Sequence, residues 1–181
     1  MKNTKKEIVV CVTAGISAYK ACEVVRNLKN QGHLVSVLMT KDAVNFIGPL
    51  TFKTLSGRPV VVDMFAEDVP WDPCHISLAE RADLVVVVPA TANIIAKLAA
   101  GICDDIITCV ITATKAKTVI CPAMNDNMYK HPATQANLKK IREFGYKIIE
   151  PVKGKLACGT YGIGHIAPVE AIISGIKKLI G

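Results

Sequence analysis

A thiol placed where nothing can bury it asks for chemistry. Residues 154–164 read GKLACGTYGIG and set Cys158 among four glycines. Three of the other six cysteines read differently. Cys11, Cys109 and Cys121 lie inside apolar runs and fit small core residues. The chain has seven cysteines and no C-x-x-C pair. Neither a disulfide framework nor a zinc site is indicated, and reduced thiols in the cytoplasm are the expectation.

A second set of residues could hold a phosphate. Ala14, Gly15, Ile16 and Ser17 fall between an apolar run and a helical pattern, where the free N–H groups of a helix start favour an anion. A dinucleotide fingerprint would need G-x-G-x-x-G and an acidic residue after the second strand. Here there is one glycine, and the second strand ends at Thr40 and Lys41. One cradle suits one phosphate, which favours a mononucleotide such as FMN over NAD. A tight turn with Ser17 as a plain helix cap stays open as the alternative. The loop PATAN, residues 89–93, adds small side chains, the Thr91 hydroxyl, Ala92 and the Asn93 amide, which could approach a flat ring and its polyol chain. A helix cap at Thr91 or Asn93 is its competing reading.

These loops need a frame. The chain has 181 residues, 51% hydrophobic and only 5% aromatic, enough for one domain with its own core. Apolar runs rich in Val and Ile begin near residues 7, 34, 82, 117 and 146 and alternate with segments of helical periodicity. That rhythm predicts an α/β fold with a doubly wound, mostly parallel sheet, a Rossmann- or flavodoxin-like three-layer sandwich. In such a sheet ligands gather at the carboxyl ends of the strands, so the loops at 13–17, 39–43, 89–93 and 122–129 should carry function. The Pro-rich segment 69–75 predicts a loop leading into a short helix over 75–82.

Composition also excludes classes of function. The basic start followed by an apolar run reads as a first strand, because Gly15 soon interrupts it and no small-residue cleavage site follows. The longest uncharged apolar run, residues 84–96, is too short to span a bilayer and contains Pro89, so no membrane is expected. The formal charge is +7, but the lysines are dispersed and not interleaved with aromatics. That argues for an anionic small molecule and against nucleic acid.

TAGISAYK at 13–20, the pattern His75-Ile76-Ser77-Leu78, PAMNDNMY at 122–129 and LACGTYGIG at 156–164 together resemble the homo-oligomeric flavin-containing cysteine decarboxylases, from about residue 8 to 168. PAMNDNMY is similar to the family's P-x-M-N-x-x-M-W pattern, with Tyr129 in the aromatic place. The resemblance implies FMN-dependent decarboxylation of 4′-phospho-N-pantothenoylcysteine to 4′-phosphopantetheine, on the route to coenzyme A. It implies that FMN is held by Ala14 to Ser17, Thr40, Lys41, Thr91, Ala92, Asn93 and Ala123. His75 becomes the catalytic base in oxidation of the thiol side, suited by a pKa close to neutral. Asn125 becomes the neutral donor to the substrate carboxylate, with Met124 and Ala157 beside the substrate.

In the same reading Cys158 rides on a glycine-rich lid over about 153–167 and donates a proton in the final reduction, a task that requires it to stay largely protonated. A homo-trimer or dodecamer is implied, with His75 reaching a neighbour's site, and a phosphopantothenate-cysteine ligase as a separate or fused partner. Related readings on the same scaffold are a peptidyl-cysteine decarboxylase, which would release the enethiol without a lid thiol, a flavin prenyltransferase-like enzyme and a dipicolinate synthase subunit. A non-catalytic regulatory flavoprotein subunit comes from a different class, and such subunits usually carry long acidic extensions.

Overall fold

The computed structural model describes residues 5–65 and 74–180. The loop expected at 69–75 falls mostly outside the described residues. Chain order runs β1 (Glu7–Val12), α1 (Ala18–Asn30), β2 (Leu34–Met39), a 3-10 turn (Lys41–Asn45), α2 (Pro49–Ser56), β3 (Val60–Val61), α3 (Cys74–Arg81) and β4 (Leu84–Ala90). It continues through α4 (Ala92–Ala100), α5 (Ile106–Ala113), β5 (Lys117–Pro122), α6 (Asp126–Lys130), α7 (Pro132–Glu143), β6 (Lys147–Ile148), β7 (Val152–Lys155), β8 (Tyr161–His165) and α8 (Val169–Ile180).

Six strands form one parallel sheet in the order β3-β2-β1-β4-β5-β6, the Rossmann order. The Val-rich composition explains it. Every residue of β4 is buried, as a strand covered on both faces requires. Alternation within β1 sorts the two cores: Ile8, Val10 and Val12 pack with α1, α2 and α8, while Val9 and Cys11 face α3, α4, α5 and α7. From β1 the chain winds out to β3, then crosses back to β4 on the other side of β1. The loops after β1 and β4 therefore diverge and leave a crevice between them.

Two departures from the expected pattern matter for function. Of the strand read from residue 146, only Lys147 and Ile148 join the sheet, with Ile149 N–H donating once more to Ile120 O at 2.9 Å. Pro151 has no N–H to continue a ladder. The glycine-rich stretch beyond it forms an antiparallel hairpin, β7 with β8, pairing Val152 with His165 and Lys155 with Tyr161.

The sequence reading takes the glycines at 154, 159, 162 and 164 as sources of lid mobility, and at two of them the structure assigns a different task. A Cβ at Gly162 would lie 2.7 Å from Asp126 Cγ, and one at Gly164, whose φ is +125°, would collide with the Met124 carbonyl. Both positions exist for close approach of β8 to the loop after β5. Met124 N–H donates to Gly164 O at 3.0 Å, and Ile163 N–H donates to Asp126 Oδ1 at 2.9 Å. The hairpin is tied at its base, and Gly159, with φ +88° and open space around it, sits in the turn near its tip.

Candidate active site

Two cavities open along the carboxyl ends of the strands, and they share Ala14 and Thr91. The larger, about 570 Å³, lies between the loop after β1, the loop after β5 and the hairpin. The smaller, about 380 Å³, lies towards β2 and the start of α5. Thr13 joins the loops that separate them. The residue is 1% exposed, and its hydroxyl donates to Pro89 O at 2.8 Å and accepts from Thr91 N–H at 3.1 Å, bridging the ends of β1 and β4. Thr13 was not among the expected site residues. Its signal would have been a hydroxyl closing the apolar run of residues 8–12.

The expected cofactor residues divide between the two cavities. Gly15, Ile16, Ser17, Ala92 and Ala123 line the larger, Thr40, Lys41 and Asn93 the smaller, and Ala14 and Thr91 both. Met124, Asn125, Ala157 and Cys158 also line the larger one. His75 lines neither. It sits half-buried on the first turn of α3.

The polar side chains show which competing readings apply. Thr91 caps α4 by accepting from Ile94 N–H at 3.2 Å, and Thr40 accepts from Ala43 N–H at 3.3 Å. Those hydroxyls keep a proton to donate into the cavity. Ser17 stands at the start of α1 with helical backbone and no side-chain cap bond, so the plain-cap reading of Ser17 does not hold. At Gly15 the backbone does not require glycine, and an added Cβ would meet nothing within 4 Å. A side chain there would only fill the cavity. Free space, a helix start and an uncommitted hydroxyl meet at one loop, and together they fit a phosphate-bearing flavin.

Asn125 is held in one orientation. Its Oδ1 accepts from Asn127 N–H at 2.9 Å, an Asx turn that starts α6, and this leaves Nδ2 facing Cys158 Sγ at 3.6 Å. The turn reading and the donor reading are both satisfied, by opposite ends of one amide. Tyr129, at the end of the same motif, donates to Glu150 at 2.9 Å and anchors α6; burial pushes its phenol up to about 12.

Cys158 is exposed, with Thr160 Oγ1 3.1 Å from its sulfur. That hydroxyl, with the Thr160 backbone and the Asn125 amide, pulls the thiol below its ordinary value. The sequence reading expects a thiol that stays largely protonated; the structure loosens its proton, and a looser proton makes a better donor as long as it is present. By contrast, burial drives Cys11 and Cys121 strongly upward, as inert core thiols.

The two cavities differ most in charge. The smaller carries Asp42, Asp63, Asp104 and Asp105, and both its lysines are paired: Lys41 to Asp63 at 2.7 Å, and Lys97 to Asp104 at 2.7 Å and Asp105 at 3.0 Å. Asp104 raises the Lys97 ammonium. Burial pushes Asp105 up, but Thr108 and Lys97 together outweigh it and leave the carboxyl below its usual range. Among the described residues the larger cavity has no Asp or Glu in its lining, and it carries Lys20, Lys155 and His165. None of these three was among the expected site residues.

The model of the Flavoprotein family matches residues 1–181. The chain is 42% identical over 175 residues to a probable phosphopantothenoylcysteine decarboxylase of Streptococcus mutans, covering 96% of this chain and 98% of that protein. It is 44% identical over 173 residues to the coenzyme A biosynthesis bifunctional protein CoaBC of Bacillus subtilis, covering 96% of this chain but 43% of that protein. The chain thus spans less than half the length of that bifunctional relative. Among solved structures it is similar to a PPC decarboxylase mutant complexed with pantothenoylaminoethenethiol, with TM-score 0.85, 28% identity and coverage of 96% and 97%. It is also similar to SpaF, an FMN-dependent cysteine decarboxylase, with TM-score 0.84, 30% identity and coverage of 98% and 97%.

Proposed function

The chain belongs to the Flavoprotein family, and on that premise we propose that it is a phosphopantothenoylcysteine decarboxylase, converting 4′-phospho-N-pantothenoylcysteine to 4′-phosphopantetheine on the route to coenzyme A. The observation that carries the reading is the pair Asn125 and Cys158, 3.6 Å apart in a cavity that no carboxylate lines among the described residues. FMN, when bound, supplies the electron sink that an ordinary cysteine lacks, taking two electrons from the substrate and later returning them. Gly15, Ser17, Thr91 and Ala123 would hold it from the larger cavity, Thr40 and Asn93 from the smaller.

The chain's own residues do the rest. Asn125 Nδ2 holds the substrate carboxylate with a neutral donor. A cation there would stabilise the carboxylate more than the neutral CO2 it must become. Met124 and Ala157 keep water from the reacting carbons. Cys158 gives its proton to the carbon left by CO2, the role for which its loosened thiol is suited. The hairpin carries it, and residues 153–167 act as a lid on a single flavin-binding domain over 1–181.

His75 takes a proton from the substrate's cysteine side, and it does so in the site of a neighbouring subunit. That placement is supported by its absence from its own chain's cavities and by three exposed apolar residues: Ile76 beside it, and Ile16 and Tyr19 at the cavity edge, which are 38%, 61% and 50% exposed. A homo-trimer or a multiple of it would close all three. A phosphopantothenate-cysteine ligase, fused or separate, would supply the substrate. No described helix is long and apolar enough to cross a membrane, and the reading places the reaction in the cytoplasm.

The test is the absorbance spectrum of purified protein followed by CO2 release from 4′-phospho-N-pantothenoylcysteine. An FMN spectrum with CO2 and 4′-phosphopantetheine in equal amounts supports the reading, and a flavin-loaded protein that releases no CO2 removes it. His75→Asn should keep its flavin and lose turnover by about 100-fold or more, the scale of a lost general base.

A further inference from the structure

We propose that Lys20 and Lys155 form a subsite for a phosphate monoester at the far end of the substrate and set the preference for a phosphorylated over a dephosphorylated one. The inference rests on the decarboxylase reading above and names what that reading leaves unassigned. Lys20 lies on the first turn of α1 and is half-buried, and Lys155 ends β7 and is exposed. They come from separate elements and line one cavity. Neither pairs with a carboxylate among the described residues, whereas both lysines of the smaller cavity do.

A cleft lined by one sign of charge concentrates its field on an incoming ligand of the other sign. With no acid in the lining among the described residues, a dianion meets no repulsion from them there. Position adds to charge. Lys155 ends β7, and Cys158 sits in the turn that follows, closed by Gly159 N–H donating to Leu156 O at 2.9 Å. Lys20 comes from α1, an element separate from the hairpin that carries the thiol and from the loop that carries Asn125, where the substrate's carboxylate end is held. The extended arm of 4′-phospho-N-pantothenoylcysteine separates its phosphate from its cysteine in the same sense. The phosphate of the flavin is the other source of the same chemistry. It has the Gly15–Ser17 loop and the hydroxyls of Thr40 and Thr91 available without these lysines.

The experiment uses flavin-loaded protein and the variants Lys20→Met and Lys155→Met, which keep the aliphatic stem, singly and together. Two ratios are measured: kcat/KM for 4′-phospho-N-pantothenoylcysteine over N-pantothenoylcysteine, and calorimetric affinity for 4′-phosphopantetheine over pantetheine. Both ratios should fall roughly tenfold in Lys20→Met, less in the more exposed Lys155→Met, and through KM alone. Lys20→Arg and Lys155→Arg should retain most of the preference. If the wild type decarboxylates neither compound but the calorimetric preference falls in the variants, the decarboxylase reading fails and the subsite stands. If the wild type decarboxylates and shows no phosphate preference, or keeps it in the double variant, the subsite is overturned and the enzyme reading survives. Loss of FMN from folded variants assigns the lysines to the cofactor's phosphate, and also overturns it.

Discussion

The two cavities at the carboxyl edge of the sheet share Ala14 and Thr91 but are opposites in charge. In the smaller, Lys41 and Lys97 each face aspartates at 2.7 Å, and a ligand would have to displace a partner to use either ammonium. In the larger, Lys20 and Lys155 pair with no carboxylate among the described residues. Counting lysines along the chain would rate the two regions alike. What separates them is counter-charge, and on the proposed reading it would direct an anionic substrate to the side where Asn125 and Cys158 already meet.

The sharpest break of that contrast is Cys158→Ser. A serine hydroxyl holds its proton too tightly to give it up, so 4′-phosphopantetheine should fall by about 100-fold or more while the first turnover still releases CO2. Product analysis with CO2 trapping reads both halves. Normal amounts of saturated product would reduce Cys158 to a lid residue, and no CO2 at all would move it to the first half-reaction.

Next in size is Gly15→Val. The position has room for a side chain and no backbone need for glycine, so the protein should remain folded by circular dichroism while flavin content drops to a small fraction of wild type. Flavin retained at full stoichiometry would place the cofactor away from this loop.

Asn125→Asp makes the larger cavity resemble the smaller by adding a carboxylate. Like charge in a partly desolvated pocket should raise KM, with kcat/KM falling by roughly tenfold to 100-fold. An unchanged KM would show that Asn125 does not touch the substrate's carboxylate.

The smallest effect is expected on the paired side. Asp105→Ala removes the cap of α5, where Asp105 Oδ1 accepts from Thr108 N–H at 2.9 Å, and should cost about 1 kcal/mol in thermal or denaturant unfolding. Because the folded carboxyl titrates below its ordinary value, its contribution is present above the unfolded value and is lost as pH falls through the folded one. Wild type should therefore lose more stability than Asp105→Ala across that acid window. Equal pH profiles would show that the cap is not charge-assisted.

Much of this was legible in the chain. The Val-rich runs and the helical segments between them specify a parallel α/β sheet, and the motifs around Gly15, Thr91, Asn125 and Cys158 mark the loops that line the crevice. The hairpin was harder to see, because glycines at 154, 162 and 164 interrupt the alternation by which a strand is read. Two of those glycines are explained only by what approaches them, Asp126 and the Met124 carbonyl.

Local pattern settled the elements, since backbone preference and side-chain periodicity act between residues a few positions apart. Through-space terms settled the site. Thr13 joins β1 to a carbonyl 76 residues away, Lys41 finds its aspartate 22 positions on, and Lys20 and Lys155 end in one cavity with no acid among the described residues to meet them. Hydrogen bonds and charge pairing depend on distance in the folded molecule and not on separation along the chain, so only the tertiary structure could decide which lysines are neutralised and which are left facing the cavity.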